Sequence, residues 1–182
     1  VKTADTSIQK VLEKWEAKIR EKIPFETSLN ITAIPKGRPR HTSSGHAYTP
    51  ERTRDYEAAV RYAAQKKMQG KKQFLATVRV TIFVYKTVPK SYSKEKRVLA
   101  SLGWIIPSGG DLDNYVKAVT DALNGVVYHD DKQIGELHAK VRYGPANKVI
   151  IKVAAIGVSL GESESICREL KNEHRRGSSK VG

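Results

Sequence analysis

Residues 109–125 read GGDLDNYVKAVTDALNG, with Asp111 and Asp113 on either side of one leucine and directly after a glycine pair. Carboxylates held that close repel, and the repulsion is relieved by a cation between them or by using one of them as a helix cap. Tyr115, Val116, Val119, Ala122 and Leu123 recur at helical spacing, and Gly125 stands where a left-handed residue closes a helix. The spacing predicts a helix over 114–124 with Asp113 at its N-cap and Asp111 just outside. One carboxylate then has a structural explanation and the other has none.

Asp113, Lys117 and Asp121 recur every fourth residue, so they share a helix face, with an acid N-terminal to the lysine. Lys117 is therefore expected to turn toward the carboxylates. Asp121 lies about 12 Å along the axis from Asp113, too far to share an ion but close enough to orient Lys117, and Asn114 is a second supporting residue. Asp130 and Asp131 close the stretch VVYHDD. Read as a short strand running back along the helix, that stretch would return both acids to the helix's N-terminal end. Asp111, Asp113, Asp130 and Asp131 around one lysine, with no cysteine among them, make a hard-oxygen donor set suited to Mg²⁺ or Mn²⁺. Taken alone, the D-x-D is more simply a loop residue and a cap, and the D-D pair a turn. Their combination with Asn114 and Lys117 favours the metal reading.

The surrounding composition makes such a cluster out of character. The 182 residues carry a net charge of +14 with 39% hydrophobic residues, so the excess cations decorate a folded body whose natural partner is a polyanion. No stretch approaches the apolar length of a spanning helix, which favours nucleic acid over membrane. The single Cys167 excludes an intrachain disulfide and a thiolate-rich zinc site. No secretory signal is visible, so an intracellular location is expected.

The elements that must position the acids follow from periodicity. Residues 3–23 carry Ile8, Leu12, Trp15 and Ile19 in an amphipathic stripe that Pro24 ends. Residues 29–35 alternate like a strand and lead into the basic loop KGRPRHTSSGHAYTP, where Lys36, Arg38 and Arg40 are candidates for phosphate contact. His41 and His46 in that loop, and His129 beside Asp130, have simpler roles as phosphate or water contacts and as a bystander. A helix over 52–69 turns Tyr56, Ala59, Val60, Ala63 and Ala64 inward and leaves Arg54, a further DNA-contact candidate, outside. Val78, Val80, Ile82 and Val84 alternate with Arg79, Thr81 and Phe83 in a half-buried strand, and a short basic helix is expected over 93–102. The segments QIGELHAKVRY and NKVIIKVAAIG read as a hairpin joined near GPAN, and the chain beyond Gly161 as at most a short helix before a basic tail. The sum is a single α/β domain over 25–160, a mixed sheet with helices packed on it. An N-terminal helical extension (1–24) and a basic C-terminal tail (161–182) flank it. No glycine-rich phosphate turn follows the first strand, which excludes a dinucleotide-binding fold.

The stretch GDLDNYVKAVTDALNGVVYHDD, the Gln-Ile that follows it, and the upstream PKGRPRHTSSGHAYTP resemble the RusA-like Holliday-junction resolvases, over roughly residues 29–157. The resemblance implies a small α/β homodimer of bacterial or phage origin, placed in the cytoplasm or on the nucleoid. It implies a Mg²⁺-dependent endonuclease that cuts opposed strands of a four-way DNA junction in recombination and repair. It matches Asp111, Asp113 and Asp131 to catalytic metal-binding aspartates and Lys117 to the essential lysine. The alternative is a non-catalytic, basic DNA-binding or architectural protein. No helix-turn-helix or zinc-finger pattern supports it, and a pure phosphate binder gains nothing from central acids.

Overall fold

The computed structural model describes residues 6–20, 24–37, 40–41, 47–48 and 50–178. Among the described residues five α-helices, α1 (Thr6–Arg20), α2 (Glu51–Met68), α3 (Lys94–Ser101), α4 (Leu112–Leu123) and α5 (Leu160–Ser178), accompany six strands. These are β1 (Phe25–Leu29), β2 (Arg40–His41), β3 (Ala47–Tyr48), β4 (Val78–Thr87), β5 (Ile134–Gly144) and β6 (Lys148–Ala155). The main sheet has the order β1-β6-β4-β5, and β2 and β3 form a separate pair. β5 is parallel to β4, while β6 is antiparallel to both β4 and β1.

Period-two alternation makes β4 the centre of the sheet: Val78, Val80, Ile82 and Val84 are buried and the residues between them are not. Their row continues into Val149, Ile151 and Val153 of β6. Against this face pack Tyr56, Val60, Ala64 and Met68 of α2 with Tyr115, Ala118, Val119, Ala122 and Leu123 of α4. The connection from β4 through α3 and α4 to the parallel β5 is a crossover, so α4 runs back along the sheet, against the direction of β4 and β5. Its N-terminus lies at the C-terminal end of β4, where Lys86 meets the Ser108 carbonyl. Its C-terminus lies near the start of β5.

The structure corrects several expectations. The first strand is Phe25–Leu29 rather than 29–35: Phe25, Thr27 and Leu29 sit opposite Val153, Ile151 and Val149, whereas 30–37 run without a ladder. VVYHDD is not a strand. Val126 and Val127 donate to the Leu123 carbonyl and Gly125 to Tyr128, folding Val126–Tyr128 into a buried turn over the end of α4. β5 and β6 are not a hairpin, because β4 lies between them. Residues 145–147 cross over the end of β4, where the Asn147 Oδ1 accepts from the Thr87 N–H at 2.9 Å. The C-terminal tail is helical as far as Ser178. A capping box opens that helix: Glu162 accepts from the Ser159 N–H at 2.8 Å, and Ser159 Oγ accepts from the Glu162 N–H at 3.3 Å. α5 and α1 then pack together, with Glu169 accepting from Lys14 at 2.7 Å and from the Trp15 indole at 3.0 Å.

Candidate active site

The glycine pair before Asp111 is required by the backbone. Gly109 and Gly110 have φ of +96° and +135°, and a Cβ on Gly110 would stand 2.7 Å from Pro35 Cγ. The loop therefore presses against residues 34–36, and the Lys36 N–H reaches the Asn114 carbonyl at 2.8 Å. Below the loop, the buried Tyr115 donates its hydroxyl to the Gly109 carbonyl at 2.7 Å, and Lys86 Nζ lies 3.4 Å from that hydroxyl. The start of α4 is thus held from three sides.

Helix α4 begins at Leu112, so the N-cap is Asp111 and not Asp113, which falls in the first turn. Asp111 has extended backbone geometry suited to capping, yet its side chain makes no capping hydrogen bond. Among the described residues neither the Asp111 nor the Asp113 carboxylate has a hydrogen-bond or ion-pair partner, and both residues are exposed. Two unpaired carboxylates in a chain of +14 are left facing solvent beside the positive end of a helix dipole.

Lys117 turns away from them, toward Asp121 at 3.7 Å, with 62% of its side chain exposed. Asp121 is the acid nearest Lys117, but its closer partner is Lys36 at 2.8 Å. With Leu112, Val116, Leu137 and Ala139, Asp113 and Lys117 line a groove between α4 and the edge strand β5.

Asp130 and Asp131 are not brought to the N-terminus of α4. Gln133 donates to the carbonyls of Phe74 and Ala76, which fixes this turn at the start of β4. Asp130 caps a one-turn 3₁₀ helix, Asp131–Gln133, by accepting from the Lys132 N–H at 2.9 Å. That hydrogen bond, with smaller help from Asp131, Lys132 and His129, holds its carboxyl below the ordinary range. Asp131 lies on the Asp121 side: burial first, then the charges of Asp131 and Asp121, push the Tyr128 hydroxyl's pKa upward. Among the described residues no three His, Cys, Asp or Glu side chains gather closely enough to hold a metal ion. Within one chain the acids are a pair at each end of α4, not a cluster.

Comparison with known proteins decides the class. The family described as endodeoxyribonuclease RusA matches residues 30–154. The chain belongs to the RusA family. It is also similar to the uncharacterized protein YqaN of Bacillus subtilis (strain 168), 30% identical over 131 residues, which are 68% of this chain and 90% of that protein. RusA-family proteins are endonucleases that act on Holliday junctions and are generally divalent-metal dependent, so this chain is an enzyme of the junction-cutting class. α1 and α5 lie outside the matched region and are an addition packed on itself. No helix among the described residues is long and apolar enough to cross a membrane.

The predicted DNA contacts fare unevenly in this RusA-family chain. Arg38 and the side chain of Arg40 lie outside the described residues, as do the side chains of His41 and His46. Arg54 is exposed on the first turn of α2. Lys36 is committed elsewhere, bridging Glu57 of α2 at 2.5 Å and Asp121 of α4. Burial alone would lower its pKa, but the hydrogen bonds to Asp121 and Glu57 outweigh that and raise it. A raised lysine stabilises the fold below its unfolded pKa and ceases to do so only as pH climbs through the folded value, so this bridge is intact at neutrality. Lys36→Met leaves Glu57 and Asp121 facing each other, and is expected to cost about 2 kcal/mol in urea unfolding. An unchanged midpoint would show that the bridge is not structural. Lys86, which holds the loop through the Ser108 carbonyl and the Tyr115 hydroxyl, is a cation beside the candidate site that the sequence alone did not single out. Its signal was one further inward position in the period of β4, beyond Tyr85.

Proposed function

We propose that the chain is a Mg²⁺-dependent Holliday-junction endonuclease of recombination and repair, acting as a two-fold dimer. The observation that carries this reading is the pair Asp111 and Asp113, which the fold holds in place and whose carboxylates have no partner among the described residues. Mg²⁺ is commonly held by one or two carboxylates, with water and substrate phosphate completing its shell, so an exposed aspartate pair fits its donor chemistry; Mn²⁺ suits the same oxygens. When bound, such an ion offsets the charge that develops on a phosphate during hydrolysis. Lys117, loosely paired with Asp121 but largely exposed in the groove that Asp113 also lines, is the cation this reading assigns to the same phosphate. Lys86, Tyr115 and Pro35 keep the loop from shifting.

A four-way junction requires two opposed cuts, and a two-fold dimer supplies two sites. The groove beside β5, with the exposed Leu112 and Leu137 on its rims and the unpaired edge of the sheet alongside, is the surface we assign to the second copy. A two-fold axis there runs one α4 against the other, N-terminal end to C-terminal end. Asp131, and Asp130 beside it, then act at the partner's Asp111–Asp113 pair rather than at their own. Leu137→Arg is therefore expected to yield monomer in sedimentation and to lower junction cutting at least tenfold. A dimer that persists in this variant would move the interface elsewhere.

The function itself is tested with a labelled four-way junction incubated with and without Mg²⁺. Cutting confined to the Mg²⁺ arm is expected, and binding without cutting would favour an architectural role. Junction affinity is also expected to fall about a thousandfold between 50 and 200 mM salt if six or more phosphates are held. A flat salt dependence would remove the phosphate clamp.

A further inference from the structure

The main sheet has a second face, opposite α2 and α4, and none of its residues is buried. Phe83 and Tyr85 project from that face on the central strand β4. In the ladder Phe83 stands beside Lys140 of β5 and Ile150 of β6, and Tyr85 beside Arg142 and Lys148. The half-exposed Tyr85 ring is thus flanked by cations on both neighbouring strands, and the Phe83 ring by one, on β5. Lys140 Nζ lies 3.9 Å from the Phe83 ring centroid and 5.9 Å from that of Tyr85. Tyr85 leans across the bare backbone of Gly144, where a Cβ would meet its ring at 3.1 Å, so the ring lies along the sheet.

The charge of this face is not self-compensated. Arg79 is paired with Glu136, and Lys152 with Glu26 at 3.0 Å. Lys140, Arg142 and Lys148 have no carboxylate partner among the described residues. Lys140 and Lys148 beside two aromatic rings, with Arg142 at the sheet edge where its guanidinium also packs on Gly103, are complementary to a polyanion that also carries flat apolar groups, and nucleic acid has that chemistry. Duplex DNA hides its base faces, whereas unpaired bases can stack. Rings two positions apart on a strand are spaced about 7 Å, a step that successive bases of an extended strand can match. Four-stranded sheets with exposed aromatics bind single strands in this way in other folds.

We propose that this open face is a second DNA-contact surface, which holds an unpaired strand by stacking bases on Phe83 and Tyr85 and placing its phosphates on Lys140, Arg142 and Lys148. The proposal rests on the nuclease reading only in taking DNA as the ligand. It adds to the acidic end of α4 a platform on the opposite side of the sheet, suited to strands that lose their pairing at a branch point.

The test uses the whole protein in metal-free buffer, with fluorescence anisotropy of a labelled twelve-nucleotide oligothymidine and of a duplex of equal length. A Phe83→Leu/Tyr85→Leu variant keeps apolar surface but removes both rings. It is expected to bind the single strand at least tenfold more weakly, with duplex affinity unchanged. Lys140→Gln/Lys148→Gln is expected to weaken single-strand binding and to lower its salt slope by about 1.4. Phe83→Trp in the wild-type background is expected to retain or tighten it. Wild-type affinity in the leucine variant overturns the stacking platform, and so does equal loss for single strand and duplex. Should the leucine variant fail to fold, photocrosslinking of wild-type protein to a bromodeoxyuridine oligonucleotide decides. Crosslinks on the β4 peptide support the proposal, and crosslinks only elsewhere overturn it. None of these readings involves cleavage, so a failed platform leaves the nuclease assignment standing, and a protein that does not cut can still show the platform.

Discussion

Asp111→Asn is expected to abolish junction cutting, with a loss of at least a hundredfold, while leaving the fold and junction binding intact. Asparagine caps a helix about as well as aspartate and keeps nearly the same shape, so a purely structural Asp111 predicts normal cleavage. Asp111 stands at the cap position, but its side chain makes no capping hydrogen bond. What asparagine removes is the charge, which has no partner among the described residues and which the proposed function assigns to a bound cation. Junction binding should hold or tighten, since a negative charge leaves a surface that faces phosphate. Cleavage and binding measured on one preparation, with Asp113→Asn in parallel, check this. Near-normal cutting by both variants would end the assignment of these residues to catalysis.

Gly110→Ala is expected to have the second largest effect, on stability and activity together. With φ at +135° an L-residue is strained, at a cost of about 1–3 kcal/mol. The new methyl would also stand 2.7 Å and 2.9 Å from the Cγ and Cβ of Pro35, a ring with little room to yield. Relief comes only by moving the glycine loop off residues 34–36, which displaces Asp111 by the same shift. Thermal unfolding should therefore drop and cutting should fall together. Gly125→Ala, also at positive φ (+72°) but with open space around its Cβ, is the control that should lose stability and keep cutting.

Strong periodicity made much of the fold legible. α2, α3, α4 and β4 follow their apolar spacing to within a residue or two, and Gly125 closes α4 as its left-handed geometry requires. What failed depended on partners rather than on pattern. β5 and β6 look like hairpin strands, and no local signal says that β4 lies between them. Val126–Tyr128 have strand-forming side chains, but these are buried in a turn whose hydrogen bonds go to Leu123 and Phe74. α5 is mostly polar, with only a few apolar residues such as Ile166 and Leu170, and its helix is stabilised by a capping box and by α1. In the site, the apolar stripe of α4 starts at Tyr115 and cannot mark the first turn, so the cap was expected at Asp113, two residues after its observed position at Asp111. Lys36 sat in a basic loop by sequence, and only the packing of α2 on α4 shows that its charge is consumed by Glu57 and Asp121.

Paired incision tests the central claim most directly. A supercoiled plasmid that extrudes a cruciform carries one four-way junction, and simultaneous cuts in opposed strands turn it into linear DNA, whereas isolated cuts give nicked circles. With Mg²⁺ the account predicts linear product with little nicked intermediate, and no cutting of the same plasmid without the cruciform. Equal cutting of both plasmids, or no cutting of either, would contradict it.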